Sequence, residues 1–382
     1  MLQTLAVQGY RSVRSLELEL ANVTLITGAN GTGKSSVYRA LRLLAECGSG
    51  NVIGALANEG GLPAARWAGP TSIPGSIRSG APSSGDPASI RLGFADEAFG
   101  YAIDLGVPQS SANTLFALDP EIKQEHIFVG SVIRPGSMLV ERKRAIARVK
   151  EGSTWNHFDC SLMSYESILD MFPGTDQAPE IARVRNALRT WRFYDSFRTD
   201  IGSPARAPQV GTRSPRLNDD GSNLAAVLQT TIENGDLWNA RGTIAEALSG
   251  STLDITEQGG RLALGLRQPG MLRSLEVHEL SDGTLQFLLL VAALTAVDRP
   301  SLIVLNEPER SLHRDVLPAL AELIRSAAED SQIIVVTHAA DLIRLLERQR
   351  GTLHHELVKS SGETLVRDLG ALEGPPWSWP KR

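Results

Sequence analysis

The segment "GANGTGKSS", residues 28–36, combines residue types that bind phosphate. Its three glycines let the backbone turn tightly, so that successive N–H groups can point at phosphate oxygens. Lys34 adds a cation for the β- and γ-phosphates, and Ser35 adds a hydroxyl for Mg²⁺. The segment follows the apolar run 23–26 and precedes an amphipathic run, so it has the strand–loop–helix context that the G-x-x-x-x-G-K-[ST] pattern requires.

A second group of polar residues ends the apolar run in "SLIVLNEPERSLH", residues 301–313. A buried strand delivers side chains to a site at its carboxyl end, and here those residues are Asn306 and Glu307. Glu307 can orient an attacking water opposite a γ-phosphate. Asn306 accepts a hydrogen bond from a Mg²⁺-bound water but carries no negative charge, so weaker metal affinity is expected.

Two further motifs are ambiguous when each is taken alone. His338 ends the apolar run in "VVTH", residues 335–338, where a single histidine is usually a structural hydrogen-bonding residue. In "ELSDGTLQ", residues 279–286, Ser281 can cap a helix and leave backbone amides at its positive end, which suits a phosphate. Ser-x-Gly is nevertheless more often a plain helix start.

The composition indicates a soluble globular protein. The 382 residues are 42% hydrophobic, and no run approaches the roughly 20 apolar residues of a membrane span. No secretory signal is visible at the start, so we expect a cytoplasmic protein without a membrane partner. Cys47 and Cys160 lack CxxC spacing and predict neither a disulfide nor a zinc site.

The formal net charge of −5 argues against a protein that coats nucleic acid through its overall field. Arginine is nevertheless concentrated in two acid-poor stretches, residues 134–150 and 182–216. Each stretch is either a solvated face or a patch for DNA, and neutralising Arg183, Arg185 and Arg189 would distinguish the two.

The order of the patterns predicts strands that alternate with helices. We expect a helix that stops before Gly48, a Gly/Pro/Ser-rich surface loop over 48–90 and antiparallel strands over 90–150. The later elements are helices near 164–192 and 222–249, a hairpin within 251–270, a helix from 282, a strand over 302–305, a helix from 314, a strand over 332–336 and a helix from 340. This order favours a mostly parallel sheet covered by helices, and no heptad pattern indicates coiled-coil arms.

Together and in this order, the motifs resemble the heads of ABC-type ATPases. The opening segment "VQGYRSVRSLELEL" and the segment "EPERSLH" resemble the soluble RecF/SMC-like branch, and most of all the RecF-like AAA ATPases of bacteria. The resemblance implies an α/β P-loop NTPase head with an antiparallel β subdomain and a helical lid insertion. It also implies an ATPase core over 1–47 and 251–382, a loop and β subdomain over 48–150, and a lid over 151–250.

The resemblance also assigns roles to individual residues. It implies ATP and Mg²⁺ as cofactors, Glu307, His338 and Lys34 as catalytic residues, and Ser35 and Asn306 on the metal side. The nucleotide-binding residues are Gly28, Ala29, Asn30, Gly31, Thr32, Gly33, Lys34, Ser35 and Ser36 of the Walker A loop, with Arg11 and Ser12 nearby. The signature that acts on a partner's nucleotide is Ser281, Asp282 and Gly283, and the D-loop holds Ser311 and Leu312. No glutamine is placed in the Q-loop.

The expected function is that of a slow ATPase that forms a homodimer on ATP binding and switches a partner in DNA maintenance or defence. The alternative is a nucleotide-dependent regulatory module that recruits a protein effector, with turnover incidental. DNA and a protein effector both stay open as partners. The chain after His338 is too short for the Toprim nuclease domain of similar heads, so no nuclease activity is expected.

Overall fold

The computed structural model describes residues 1–69, 89–108, 114–172, 174, 176, 178–195, 197–234, 237–370 and 374–380. Its strands are β1 (Leu2–Tyr10), β2 (Val13–Glu19), β3 (Val23–Gly28), β4 (Ser89–Asp96), β5 (Phe99–Gly106), β6 (Glu121–Val129), β7 (Met138–Lys143), β8 (Ile146–Glu151), β9 (Thr154–His157), β10 (Arg192–Tyr194), β11 (Gln209–Val210), β12 (Thr252–Gln258), β13 (Arg261–Arg267), β14 (Leu275–Glu276), β15 (Leu302–Asn306), β16 (Gln332–Val336), β17 (Thr352–Ser360) and β18 (Glu363–Val366). Its α-helices are α1 (Lys34–Gly48), α2 (Val52–Asn58), α3 (Gly61–Ala65), α4 (Ile168–Met171), α5 (Pro179–Thr190), α6 (Leu224–Glu233), α7 (Leu237–Ala247), α8 (Asp282–Thr295), α9 (Leu317–Ala327) and α10 (Ala340–Glu347), and short 3-10 helices cover Pro204–Arg206, Val277–Glu279 and Arg314–Val316.

The chain forms two compact units, and neither is continuous in sequence. The first unit contains Met1–Ala21, Thr27–Trp191 and His355–Arg382, and the second contains Asn22–Ile26 and Arg192–His354. Strand β3 therefore begins in the second unit and ends in the first.

The first unit is built on an antiparallel sheet. Its strand order is β2-β1-β4-β5-β6-β7-β8-β9, so the antiparallel strands expected over 90–150 are present. The sheet also includes β1 and β2, which the sequence assigned to the core, and β9. Helix α1 packs against α5 so closely that a side chain at Gly48 would overlap Leu188. The hairpin β17–β18 belongs to this unit from His355 onward, and the Thr364 N–H donates to the Ser12 carbonyl between β1 and β2.

The prediction of a surface loop from residue 48 is wrong for its first part. Residues 52–58 and 61–65 form α2 and α3. Val52 and Leu56 of α2 bury their side chains at i, i+4 spacing, and Leu62 is buried in α3. The Gly/Pro/Ser-rich composition that suggested a loop belongs mainly to residues 70–88, which lie outside the described residues.

The second unit contains the parallel sheet. Strands β10, β15, β16 and the start of β3 pair in that order, all parallel, with Leu305 opposite Val335 and Val335 opposite Leu25. Helix α8 is apolar around most of its circumference and is buried from Leu285 to Thr295, as expected for a helix inside a core. The predicted strand 332–336 and the helix starts at 282 and 340 match the structure.

Residues 151–250 divide between the two units. Helices α4 and α5 lie in the first unit, whereas β10 joins the parallel sheet of the second. Helix α6 packs its apolar residues into the same core as α8, and the hairpin β12–β13 turns at Gly259 and Gly260, as predicted. A helical lid over this segment stays a prediction.

A buried ion pair joins β6 to β7 in the first unit. Arg142 and Glu125 face each other in register, both with fully buried side chains, and Arg142 Nη1 donates to Glu125 Oε2 at 2.9 Å. The guanidinium also donates to the backbone carbonyls of Arg144, Met163 and Glu166. Glu125 accepts further hydrogen bonds from the Tyr101 hydroxyl, the Ser167 hydroxyl and the Ile168 N–H. The pair therefore ties the connection after β9 to the sheet.

Candidate functional site

The glycine-rich loop of the first unit joins the end of β3 to α1. Gly28, Gly31 and Gly33 have φ angles of 143°, 80° and 111°, a region that favours glycine. The Lys34 ammonium is buried against the loop and donates to the carbonyls of Gly28 at 2.7 Å and Ala29 at 3.1 Å. The loop thus places a cation and the start of a 15-residue helix at one point, which is an arrangement that binds anions.

The polar side chains of the loop differ in their surroundings. Ser35 is exposed, whereas Thr32 and Ser36 are buried, and the Thr32 hydroxyl donates to the Ala29 carbonyl at 2.9 Å. Asn30 is exposed. Ser35 is therefore the hydroxyl that solvent and ions can reach.

Of the two predicted residues after β1, Ser12 contacts the loop. Its hydroxyl lies 3.1 Å from that of Ser36. The guanidinium of Arg11, in contrast, binds Glu59, with Nη2 donating at 2.6 Å, and the Tyr10 hydroxyl donates to the same carboxylate at 2.7 Å. Burial, together with this hydrogen bond to Glu59, raises the pKa of Tyr10, so the hydroxyl stays a donor. Glu59 has no sequence signal of its own, because it pairs with residues far away in the chain.

In the second unit, the ends of β15 and β16 bring Glu307 and His338 together. Glu307 has a φ of 47°, and its N–H donates to the Val336 carbonyl at 2.8 Å. Its Oε1 lies 3.4 Å from His338 Nδ1. The backbone strain and the hydrogen bond fix the carboxylate at the end of the strand, which is where a sheet of this kind presents reactive groups.

Glu309 is a second carboxylate in this place, and the sequence did not single it out. Its Oε1 accepts the Thr337 hydroxyl at 2.6 Å and lies 3.9 Å from His338 Nδ1. The Thr337 hydroxyl in turn accepts the Ala339 N–H at 3.0 Å, at the start of α10. Glu309 is only about 10% exposed, so it positions the turn rather than meeting solvent.

Asn306 has a partner that the sequence did not reveal. Its Nδ2 donates at 2.9 Å to Oδ1 of Asp195, the residue that follows β10. Strands β10 and β15 are parallel neighbours, so their carboxyl ends are adjacent and one carboxylate stands beside the neutral amide. Strand β15 therefore ends in the neutral amide of Asn306, and the carboxylate beside that amide comes from Asp195 after β10.

The predicted signature and D-loop residues also meet within the second unit. Ser281 caps α8 and accepts the Thr284 N–H at 3.1 Å. A side chain at Gly283 would come within 2.6 Å of the Ser311 carbonyl, so only glycine fits there. Asp282 is fixed by Arg206, whose guanidinium donates to it at 2.9 Å. Leu312 follows Ser311 in the same turn, where its N–H donates to the Glu309 carbonyl.

No group of three or more His, Cys, Asp or Glu side chains in the described ranges could hold a metal ion by itself. None of the described helices has the length and apolarity that crossing a membrane requires.

Comparison with known proteins identifies the family and the fold. A family model described as "AAA domain, putative AbiEii toxin, Type IV TA system" matches residues 23–344. An SMC head bound to the C-winged helix domain of ScpA has a similar structure, with a TM-score of 0.50, 13% identity and coverage of 96% of this chain and 96% of that one. No curated protein matches the chain in sequence.

A second similar structure is an SMC head with an extended coiled coil, bound to the C-terminal domain of ScpA and derived from Pyrococcus furiosus. Its TM-score is 0.51 at 12% identity, with coverage of 96% of this chain and 95% of that one. At such identities the likeness concerns the fold. The chain belongs to the AAA-domain family whose model it matches and has a P-loop ATPase fold like that of SMC heads, which confirms the resemblance expected from its motifs.

Proposed function

We propose that the chain binds ATP through Gly28–Ser36 and hydrolyses it slowly, with Glu307 as the base. The observation that carries this proposal is the 3.4 Å approach of His338 Nδ1 to Glu307 Oε1 at the ends of adjacent parallel strands. A water attacks the γ-phosphorus, its proton passes to the Glu307 carboxylate, and the bond to the β,γ-bridging oxygen breaks. Lys34 stabilises the charge on the phosphates, and His338 orients Glu307.

Each unit by itself offers oxygen atoms, which Mg²⁺ prefers. The first has the exposed Ser35 hydroxyl, and the second has the Asn306 amide beside the Asp195 carboxylate. Mg²⁺ supplies charge neutralisation on the phosphates when bound. With one carboxylate and one amide in place of two carboxylates, its affinity is expected to be modest, which agrees with slow turnover.

Replacing Asn306 with aspartate is expected to destabilise the metal-free protein. The change removes the hydrogen bond to Asp195 and sets two carboxylates side by side at an exposed position, at a cost of about 1 kcal/mol. Thermal unfolding in EDTA measures this loss, and added Mg²⁺ with ATP should reverse it because a cation screens the pair. The matched control is the charge swap Asp195→Asn with Asn306→Asp, which should restore stability. Unchanged stability in the single variant would mean that the two side chains do not interact.

We further propose that ATP joins two chains, with Ser281–Gly283 of one acting on the nucleotide of the other. Ser281 caps the amino terminus of α8, and contacts with Arg206 and Ser311 hold this turn in place. A chain that offers its phosphate loop and this turn as separate features is suited to a two-fold dimer. The family description names a putative toxin of type IV systems, which supports a defence-related partner over DNA maintenance.

ATP-dependent dimerisation has a direct test in the Glu307→Gln background, which is expected to bind ATP without hydrolysing it. Light scattering with ATP and Mg²⁺ should give the mass of a dimer, and without ATP that of a monomer. Adding Ser281→Arg should abolish the dimer, because the bulky cation removes the cap and fills the turn. The same substitution at the exposed Ser49 of the first unit is the control and should leave the dimer intact. A monomer in Glu307→Gln with ATP would contradict the scheme.

A DNA contact through α5 stays a prediction. Arg183 is exposed, with its guanidinium 5.5 Å from the centre of the Phe99 ring, whereas Arg185 is half-buried. Part of this arginine-rich helix therefore serves packing within the first unit.

A further inference from the structure

Thr364 is a buried residue of the hairpin β17–β18 that contacts the phosphate loop. Its N–H donates to the Ser12 carbonyl at 2.8 Å. Its hydroxyl oxygen lies 2.8 Å from the Thr32 carbonyl and 2.8 Å from the Ser12 hydroxyl, which in turn lies 3.1 Å from the Ser36 hydroxyl. Thr364 is fully buried, so water does not compete for these bonds.

The carbonyl of Thr32 fixes the direction of one of these hydrogen bonds. A carbonyl oxygen only accepts, so the Thr364 hydroxyl donates to the Thr32 carbonyl. The Ser12 hydroxyl lies within hydrogen-bond distance of both the Thr364 and the Ser36 hydroxyls. The side chain of Thr364 is therefore bonded to the loop backbone and to the hydroxyls beside it.

The same hairpin also explains two glycines of the loop. A side-chain carbon at Gly33 would lie 2.0 Å from Thr364 Oγ1, and one at Gly28 would lie 2.4 Å from the Leu357 carbonyl of β17. Both approaches are closer than any real Cβ contact. The hairpin backbone and Thr364 therefore lie too close to the loop for a side chain at either glycine.

We propose that Thr364 is a positioning residue that orients the phosphate loop for ATP, an inference that rests on the proposed ATP binding. Because the peptide bond between Thr32 and Gly33 is planar and trans, its C=O and N–H point in opposite directions. By holding the Thr32 carbonyl, Thr364 turns the Gly33 N–H away from the hairpin, so that this N–H faces the nucleotide side of the loop. The hydroxyl acts on the phosphates only through the loop backbone.

Two variants isolate the hydroxyl from the packing. Thr364→Ser and Thr364→Ala both lack the methyl group and differ only in the hydroxyl. We expect Thr364→Ala to bind ATP about five- to tenfold more weakly than Thr364→Ser, the effect of one buried hydrogen bond, in titrations with a fluorescent ATP analogue and Mg²⁺. Thr364→Ser should bind within about twofold of the wild type.

The control is a buried threonine of the second unit. Thr231 is fully buried and donates to the Thr295 carbonyl at 3.4 Å. Thr231→Ala and Thr231→Ser should bind ATP equally, although the alanine variant lowers the melting temperature. If the wild type binds ATP tightly and Thr364→Ala and Thr364→Ser bind it equally, the inference is wrong while the proposed function stands. The same holds if Thr231→Ala loses as much ATP affinity as Thr364→Ala. A wild-type chain that does not bind ATP would overturn the proposed function and this inference with it.

Discussion

Replacing Glu307 with glutamine is expected to lower the rate of ATP hydrolysis about 10²- to 10⁴-fold while ATP binding persists. Glutamine keeps the size of the side chain and can still lie beside His338, but it cannot take a proton from water. The φ of 47° and the hydrogen bond from its N–H to Val336 are backbone features, so the variant keeps the turn. Single-turnover measurement of phosphate release, with nucleotide binding measured in parallel, separates the two effects.

The neighbouring carboxylate supplies the matched control for this prediction. Glu309→Gln keeps an acceptor for the Thr337 hydroxyl, so turnover should change by no more than several-fold. If Glu309→Gln abolishes hydrolysis and Glu307→Gln does not, the base is Glu309 and the proposed role of Glu307 is wrong.

The Glu307→Gln variant also distinguishes the two candidate functions in cells. A regulatory module that only needs ATP to recruit an effector should still act when Glu307 is replaced. A machine driven by repeated hydrolysis should fail. Asn306 is neutral, which lowers the expected affinity for Mg²⁺. For this reason the regulatory module stays the alternative function.

Replacing Arg142 with methionine is expected to lower the free energy of unfolding by about 3–5 kcal/mol. The substitution leaves Glu125 charged in a fully buried position and removes the donors to three backbone carbonyls. The three remaining donors to Glu125 offset only part of that cost, because none carries a positive charge. Denaturant titration followed by circular dichroism measures the loss.

A partly exposed ion pair in the same sheet is the control for the arginine substitution. Arg148, about 35% exposed, pairs with Glu141, which also pairs with Lys143. Arg148→Met should cost about 1 kcal/mol or less, because solvent reaches the arginine and Lys143 still neutralises Glu141. The double variant Arg142→Met with Glu125→Gln should recover part of the loss by removing the unpaired charge. Equal losses in Arg142→Met and Arg148→Met would show that burial does not strengthen the first pair.

Local patterns predicted the elements that carry most of the proposed site. The apolar run at 332–336 gave β16 with its bounds, Ser281 marked the start of α8, and Gly259 and Gly260 marked a hairpin turn. Each of these signals is contained in a few neighbouring residues. A glycine-rich loop with its lysine is local in the same way, so its residue types and spacing are enough to identify it.

The partners of the site residues were not readable from the sequence. Strand β10 has only three residues, two of them half-buried, so its sequence shows no strand pattern. Without that strand, the position of Asp195 beside Asn306 could not be predicted. Thr364 contacts Thr32 from near the other end of the chain, and only the folded sheet brings them together. The Gly/Pro/Ser-rich composition of the residues after α3 likewise led to the prediction of a loop where the short helices α2 and α3 lie.

The pairing of β3 with β16 has a consequence for synthesis of the chain. Val23 lies opposite Ile333, and Ile26 opposite Val336, so β3 has no partner on this side until the ribosome has added residue 336. At about 5–20 residues per second, the wait is on the order of tens of seconds. Throughout that time the apolar Val23 and Leu25 lack the second-unit core that later buries them. The nascent chain should therefore be a chaperone client, and mutations that slow the formation of β16 should reduce soluble yield even where they leave the finished protein stable.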